Sequence, residues 1–105
     1  PISPVKKILK SYQKEQQLEG HLKYGNPVKV QIDARLAYRV YDEFDSQDFI
    51  IDEAGNFIVT LCYPEDAWLY GYLLSYGAYL KVLEPVKLRK TLEVQLRNML
   101  GQYAT

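Results

Sequence analysis

Leu73-Leu74-Ser75-Tyr76-Gly77-Ala78-Tyr79-Leu80-Lys81-Val82-Leu83-Glu84-Pro85-Val86-Lys87-Leu88-Arg89 is the stretch whose reading decides the fold. Apolar residues run up to Gly77, and glycine at that point stops a helix because it reaches the left-handed backbone region without strain. Tyr79 to Leu83 has the length and content of a short strand. Pro85 then opens another helix, since a first turn needs no backbone N–H from its first residue. Leu88, Leu92, Leu96 and Met99 form the apolar stripe of that helix, with Leu100 beside it. Arg89, Lys90, Glu93, Gln95 and Arg97 fall on its other faces.

Upstream, Pro64-Glu65-Asp66 predicts the start of the helix that Gly77 ends, with proline and acids both suited to a first turn. Phe49 to Asp52 and Phe57 to Tyr63 read as two strands. Glu53-Ala54-Gly55-Asn56 joins them, and Gly55-Asn56 suits a tight hairpin. Pro27 to Asp33 alternates: Val28, Val30 and Ile32 face one way, Lys29, Gln31 and Asp33 the other, which predicts a strand with one buried face. Asp33 is placed to cap a helix burying Ala37, Val40, Tyr41 and Phe44, and Asp45 to Asp48 is a turn. Further upstream, Ser3-Pro4 reads as a cap and first-turn proline for a helix over Pro4–Leu18. Its stripe is Val5, Ile8, Leu9 and Tyr12, with Lys6, Lys7, Lys10 and Lys14 on the remaining faces. Gly20 ends it, and Leu22 to Asn26 is a connector. A short amphipathic helix cannot stand alone, so its stripe must dock on this domain or on a partner.

After that first helix the order is β-α-β-β-α-β-α. The βαββαβ part predicts an α+β, ferredoxin-like fold with a four-stranded antiparallel sheet and two helices on one face. The N-terminal and C-terminal helices are additions. Residues 1–26 are read as the amphipathic helix and connector, and 27–105 as the ferredoxin-like domain.

A chain of 105 residues supports one modest core and leaves little room for an enclosed active site. Thirteen basic residues balance thirteen acidic ones. A duplex-binding module normally carries a basic excess, because phosphate neutralisation supplies much of its affinity; autonomous DNA binding is therefore not expected. One cysteine, Cys62, permits no intramolecular disulfide and fits a reducing, cytoplasmic setting. The sequence reads no signal peptide and no apolar run near membrane-spanning length. Beginning at Pro1 without methionine, the chain is expected to be a piece of a longer protein.

Recognisable catalytic chemistry is missing. The single histidine, His21, has no cysteine or histidine cluster to join in a zinc site. It also gives no base for Ser11, Ser46 or Ser75. Cys62 reads as a small buried hydrophobe. Asp42, Glu43, Asp45, Asp48, Asp52 and Glu53 match no calcium loop and read as a solvated rim. Gly55, Gly71 and Gly77 are isolated, so no phosphate loop exists. Acylphosphatases use this fold, but their Gly-rich arginine loop is absent. RNA-recognition motifs also use it, with a basic-Gly-aromatic strand. No basic residue precedes Gly55 here, and Phe57, Val59 and Leu61 are expected to face the core. No catalytic, cofactor-binding or metal-ligating residue is assigned.

Ten tyrosines suit partly buried and interfacial positions, and equally a core that uses tyrosine as filler. The helix after Pro64 has hardly any polar surface. If Tyr70, Leu73 and Leu74 face the sheet, Trp68 and Tyr72 point away. Such a helix is covered on more than one side, either by the other helices or by another chain. Trp68, Tyr72, Tyr76 and Tyr79 are the contact candidates on this reading.

The strand Val28-Lys29-Val30-Gln31-Ile32 with the following Ala37–Val40 helix, the Gly55 hairpin, Leu73-Leu74-Ser75-Tyr76-Gly77, Val82-Leu83-Glu84-Pro85 with Leu88-Arg89, and Tyr103 occur in an order that resembles one family. It is the C-terminal extension, or WCX domain, of WYL-domain transcriptional regulators of the DeoR-like or YafY-like kind. The resemblance implies a helix-turn-helix and a WYL domain upstream, neither of which is in this chain. It also implies a ferredoxin-like extension that supports dimerisation and modulates the effector site, with no catalytic residues. Trp68-Leu69-Tyr70 is not the WYL motif, because its order is wrong, and the Pro4–Leu18 helix matches no part of the family. The expectation is a non-catalytic regulatory and dimerisation domain, homo-oligomeric through the full-length regulator. Coupling of effector binding to DNA binding by the other domains would be its mechanism. The alternatives are an ACT-like small-molecule sensor, which shares the strand order, and a single-strand nucleic-acid binder.

Overall fold

The computed structural model describes residues 27–104. The expected Pro4–Leu18 helix, Gly20, His21 and the Leu22 to Asn26 connector lie outside the described residues. Strand β1 (Val28–Ile32) leads through a 3-10 turn (Ala34–Leu36) into helix α1 (Ala37–Glu43). A second 3-10 turn (Ser46–Asp48) precedes strands β2 (Phe49–Ile51) and β3 (Phe57–Leu61). Helix α2 (Ala67–Leu74), the 3-10 turn Gly77–Tyr79, strand β4 (Leu80–Glu84) and helix α3 (Val86–Gly101) complete the order. The sheet is four-stranded in the order β2-β3-β1-β4, and every neighbouring pair is antiparallel. This is the ferredoxin-like arrangement expected from the element order.

Register explains the core. Val30 lies opposite Val59 on one side and Val82 on the other, and all three are buried. Val28 faces Leu61 and Ile32 faces Phe57 in the same layer, also buried. Period-2 alternation therefore places one apolar face of the sheet under the helices. The other face presents Lys29, Gln31, Thr60 and Lys81, with half-buried Ile58 and Leu83 and exposed Ile50. Among the described strand residues that face carries no aromatic ring on which a base would stack. Cys62 follows β3 on this side and is exposed, which corrects its reading as a buried hydrophobe: Leu61 and Tyr63 take the inward positions on either side of it.

Local chemistry sets the boundaries. The Asp33 carboxylate accepts from the Arg35 backbone N–H at 2.8 Å, so the first turn after β1 is 3-10 before α1 begins. Asp66 accepts from the Leu69 backbone N–H at 2.9 Å. That cap starts α2 at Ala67, and Pro64 and Glu65 are lead-in rather than first turn. Gly77 adopts φ +64° just past the end of α2, and Gly55 adopts φ +88° in the hairpin, as their stop and turn roles require. The Asp52 carboxylate closes that hairpin by accepting from the Ala54 and Asn56 backbone N–H groups, both at 2.9 Å.

Two buried faces differ from expectation. In α1, Val40 and Phe44 are buried, but Tyr41 is 59% exposed. Its ring lies edge-on against Phe49 and Phe57 at 5.7 and 5.5 Å, covering the sheet margin from outside. In α3, Leu88 and Leu92 are buried whereas Leu96 and Met99 are 49% and 46% exposed. A 16-residue helix is about 24 Å long, while the five residues of β4 span about 17 Å, so the helix outruns the sheet that would cover it. Leu88→Ala is expected to destabilise the fold by about 2–5 kcal/mol and Leu96→Ala by under about 1 kcal/mol. Urea titration of the two variants checks this, and equal losses would contradict the exposure of the helix end.

Candidate functional site

The densest polar chemistry lies between α1 and α2, around Glu43. This carboxylate is only 5% exposed. It sits one helical turn after Val40 and Arg39, on the side of α1 that meets α2. Tyr72 and Tyr76, four residues apart and so on one face of the α2 segment, both donate their hydroxyls to its Oε1, at 2.5 and 2.7 Å. The two hydroxyls are 3.1 Å from each other. Arg39 donates from Nε to the other oxygen, Oε2, at 2.8 Å. Its guanidinium lies 3.7 Å from the centre of the Tyr76 ring and also donates to the Ser75 carbonyl and Oγ, each at 3.2 Å. Each carboxylate oxygen thus has a donor, as a buried charge needs.

Electrostatics follow from that packing. Burial pushes the Tyr72 hydroxyl well above the ordinary phenol range, and the neighbouring Tyr76 and the hydrogen bond to Glu43 push the same way. Tyr76 is also raised by burial; its hydrogen bond with Tyr72 acts against this, and Glu43 with it. Burial lowers the Arg39 guanidinium, but the Glu43 hydrogen bond and the facing tyrosines outweigh it and the net direction is up. Proton exchange at neutral pH is thereby disfavoured, and the cluster is chemically a clasp between helices rather than an acid–base pair.

An aromatic row extends from the clasp. Trp68 stacks on Tyr72 with centres 5.4 Å apart and planes 6° from parallel, and Tyr63 meets Trp68 edge-on at 6.1 Å. Burial, with Asp48 and Cys62 nearby, holds the Tyr63 hydroxyl up at about 12. The structure therefore joins three of the four contact candidates, Trp68, Tyr72 and Tyr76, in one row. Tyr72 does not point away from the domain as expected: it and Tyr76 are buried against α1, and Trp68 is half-buried. Leu69 and Leu73, rather than Tyr70 and Leu74, are the fully covered α2 residues. Tyr79 lies apart from the row, exposed, under the Arg35 guanidinium at 5.3 Å. It borders a small recess of about 120 Å³ with Gln31, Asp33 and Asn56.

Glu43, expected in a solvated rim, is buried instead. The signal for its burial was present in its position on the Val40–Phe44 stripe and in the Arg39–Glu43 spacing of four. The tyrosine partners, 29 and 33 residues away, gave no such local signal. A second feature is an apolar groove of about 260 Å³ between α2, β4 and α3, lined by Leu73, Leu74, Leu80, Val82, Leu92 and Leu96. Among the described residues, no group of three or more His, Cys, Asp or Glu side chains is placed to hold a metal. No helix of the described residues is long and apolar enough to cross a membrane.

Residues 26–100 match the family model of the WCX domain. The chain belongs to the WCX domain family. This WCX domain is also similar to a Bacillus subtilis (strain 168) protein named "Uncharacterized HTH-type transcriptional regulator YobV". The two are 35% identical over 54 residues, which is 51% of this chain and 17% of that protein. The match thus spans less than a fifth of the relative's length. No solved structure matches the chain.

Glu43→Ala is expected to cost about 3–5 kcal/mol, because it strands the Arg39 charge and two hydroxyls; Tyr76→Phe, removing one donor, is expected to cost about 1.5–3 kcal/mol. Urea midpoints of the two variants check the order. The raised phenols also set a pH limit. In the unfolded chain they lose protons near pH 10, whereas burial in the fold keeps Tyr72, Tyr76 and Tyr63 protonated. Stability present at lower pH is therefore lost as pH rises above about 10. A urea midpoint that falls between pH 10 and 11.5 is expected, and one that stays level over that interval would contradict the burial of these hydroxyls.

Proposed function

We propose that this WCX domain is the non-catalytic regulatory end of a larger transcriptional regulator, coupling effector sensing elsewhere in that protein to DNA binding by its other domains. The observation that carries this reading is the family match over residues 26–100, joined by the relative named as an HTH-type regulator. The aligned part is a small fraction of that relative, which leaves ample chain for a DNA-binding domain and a sensor domain. A cytoplasmic, homo-oligomeric regulator with a helix-turn-helix and a WYL domain upstream is the full form of the proposal.

The coupling needs a surface that touches a second copy or a neighbouring domain in a state-dependent way. Of the four contact candidates, Tyr72 and Tyr76 act from inside, by holding α2 against α1. Tyr79 and Trp68 keep accessible area. The exposed apolar end of α3, with Val94, Leu96, Met99 and Leu100, adds the largest cluster of such side chains on one element. Clusters of this kind mark interaction sites more often than scattered single residues do. Contact there would bias the arrangement of the assembly, and the rigid α1–α2 clasp would carry the bias across the domain.

The test is made in the full-length regulator that carries this domain. Leu96→Asp with Met99→Asp is expected to weaken self-association at least tenfold in sedimentation velocity and to flatten the effector response in operator-binding anisotropy. Unchanged assembly and an unchanged DNA response would overturn the proposal. Ligand-dependent thermal stabilisation of the isolated chain by amino acids would favour the ACT-like sensor instead, and salt-dependent binding to single strands would favour the nucleic-acid binder.

A further inference from the structure

Helix α3 carries Arg89, Glu93 and Arg97 at a spacing of four. Arg89, Leu92, Glu93 and Leu96 share one face of the helix, and that face lines the apolar groove between α2, β4 and α3. Glu93 could turn to either arginine. It pairs with Arg97, at 2.7 Å, in the order of acid before base that a helix favours. Arg89 is left without an ion pair or a side-chain hydrogen bond among the described residues. We infer that this groove is a binding site for a small aliphatic monocarboxylate, its chain against the leucines and its carboxylate on the Arg89 guanidinium.

Size and lining set the class of ligand. A concave, mostly apolar recess with a few fixed polar groups is the usual form of a small-molecule site. An apolar cavity of about 150 Å³ holds benzene. By proportion the groove, at about 260 Å³, takes about ten non-hydrogen atoms, as many as octanoate has. Its apolar lining is leucine and valine with no aromatic ring, which suits an alkyl chain better than a flat ring that would stack. Leu73, Val82 and Leu92 are buried, Leu74 and Leu80 half-buried and Leu96 exposed. An alkyl chain laid along them removes further apolar area from water.

Charge sets the head group. Two cations line the groove, Arg89 and Lys81, against one acid that Arg97 already holds. Lys81 alternates to the open face of the sheet, but β4 is an edge strand and Lys81 borders the groove from that edge. Arg89 is therefore the anchor, and Lys81 adds to the field. Arginine suits the role, because its planar fork donates two parallel hydrogen bonds to a carboxylate. The same charges weigh against a second copy as occupant, since a twofold contact here would bring the Arg89 and Lys81 of both copies into one interface. Leu96 belongs both to the groove and to the exposed end of α3. An occupant therefore bears on the contact surface proposed above; that consequence rests on the regulatory reading, and binding itself does not.

Octanoate is the probe, titrated into the full-length regulator that carries this domain and followed by leucine and valine methyl NMR. Saturable shifts at Leu74, Leu92 and Leu96 are expected, with octanol and octylammonium each bound about fivefold more weakly or worse. Arg89→Gln is expected to weaken octanoate about fivefold. Arg97→Gln leaves the groove lining untouched but frees Glu93 to turn to Arg89, and is expected to weaken octanoate about twofold, whereas Glu93→Gln does not weaken it. All three side chains are exposed, and urea midpoints near that of the unmodified protein show that the variants fold. No shift at these methyls, uptake of octanol equal to that of octanoate, or an Arg89→Gln affinity within about twofold of the unmodified protein would overturn the proposal. So would shifts at the same methyls on protein dilution alone, because a second copy would then hold the groove. Binding and assembly are read by different variants and measurements, so failure of the site is distinct from failure of the regulatory reading.

Discussion

A carboxylate removed from water must be surrounded by donors, and Glu43 is the one acidic side chain among the described residues that the fold buries. Its donors come from two helices: Arg39 from its own, Tyr72 and Tyr76 from the α2 segment. The requirement fixes the rotation of α1, because only one face carries Arg39, Val40 and Glu43 together. It fixes the rotation of α2 as well, because both hydroxyls must reach one oxygen. Once those rotations are set, Val40, Leu69 and Leu73 turn into the core, and Trp68 is left half-buried. Exchanging such a group for apolar residues of similar shape can be neutral in net energy, whereas removing one member is costly. Its effect on this domain is on which arrangement of the two helices is permitted.

The same constraint bears on regulation. A domain that relays a change between neighbours has to move as one body or have two discrete arrangements. The Glu43 clasp, the Arg39 stack on Tyr76 and the Trp68–Tyr72 stack tie α1, α2 and the turn at Ser75 into one unit. The less constrained part is the far half of α3, where apolar side chains stay exposed. A rigid unit beside an uncommitted apolar helix end is a workable layout for transmitting contact.

Charge separation is the other organising feature. The acids cluster on the β2 side and around the ends of α1 and α2, while the later basic residues follow β4 onto α3. From residue 27 onward the chain holds eight basic against eleven acidic residues, and the two signs are unevenly distributed along it. Such a distribution orients partners and selects among apolar surfaces more than it adds to affinity.

Much of the fold was legible without coordinates, for a physical reason: strand alternation and helix stops are local. Val28-Val30-Ile32, Phe57-Val59-Leu61, the Gly55 hairpin, Gly77 and Pro85 each specify their own few residues, and their order leaves the ferredoxin-like arrangement as the reading. The WCX resemblance rested on the same local elements in sequence order. What only the tertiary structure decided is which polar group goes inside and where apolar stripes lose their cover. Glu43 is buried because two tyrosines from a distant helix arrive to satisfy it, and no spacing within α1 encodes their arrival. Tyr41, Leu96 and Met99 follow the helical period yet stay exposed: Tyr41 lies edge-on across the sheet margin, and the end of α3 outruns β4. Periodicity specifies a face, and the length and position of the neighbouring element decide whether that face is covered.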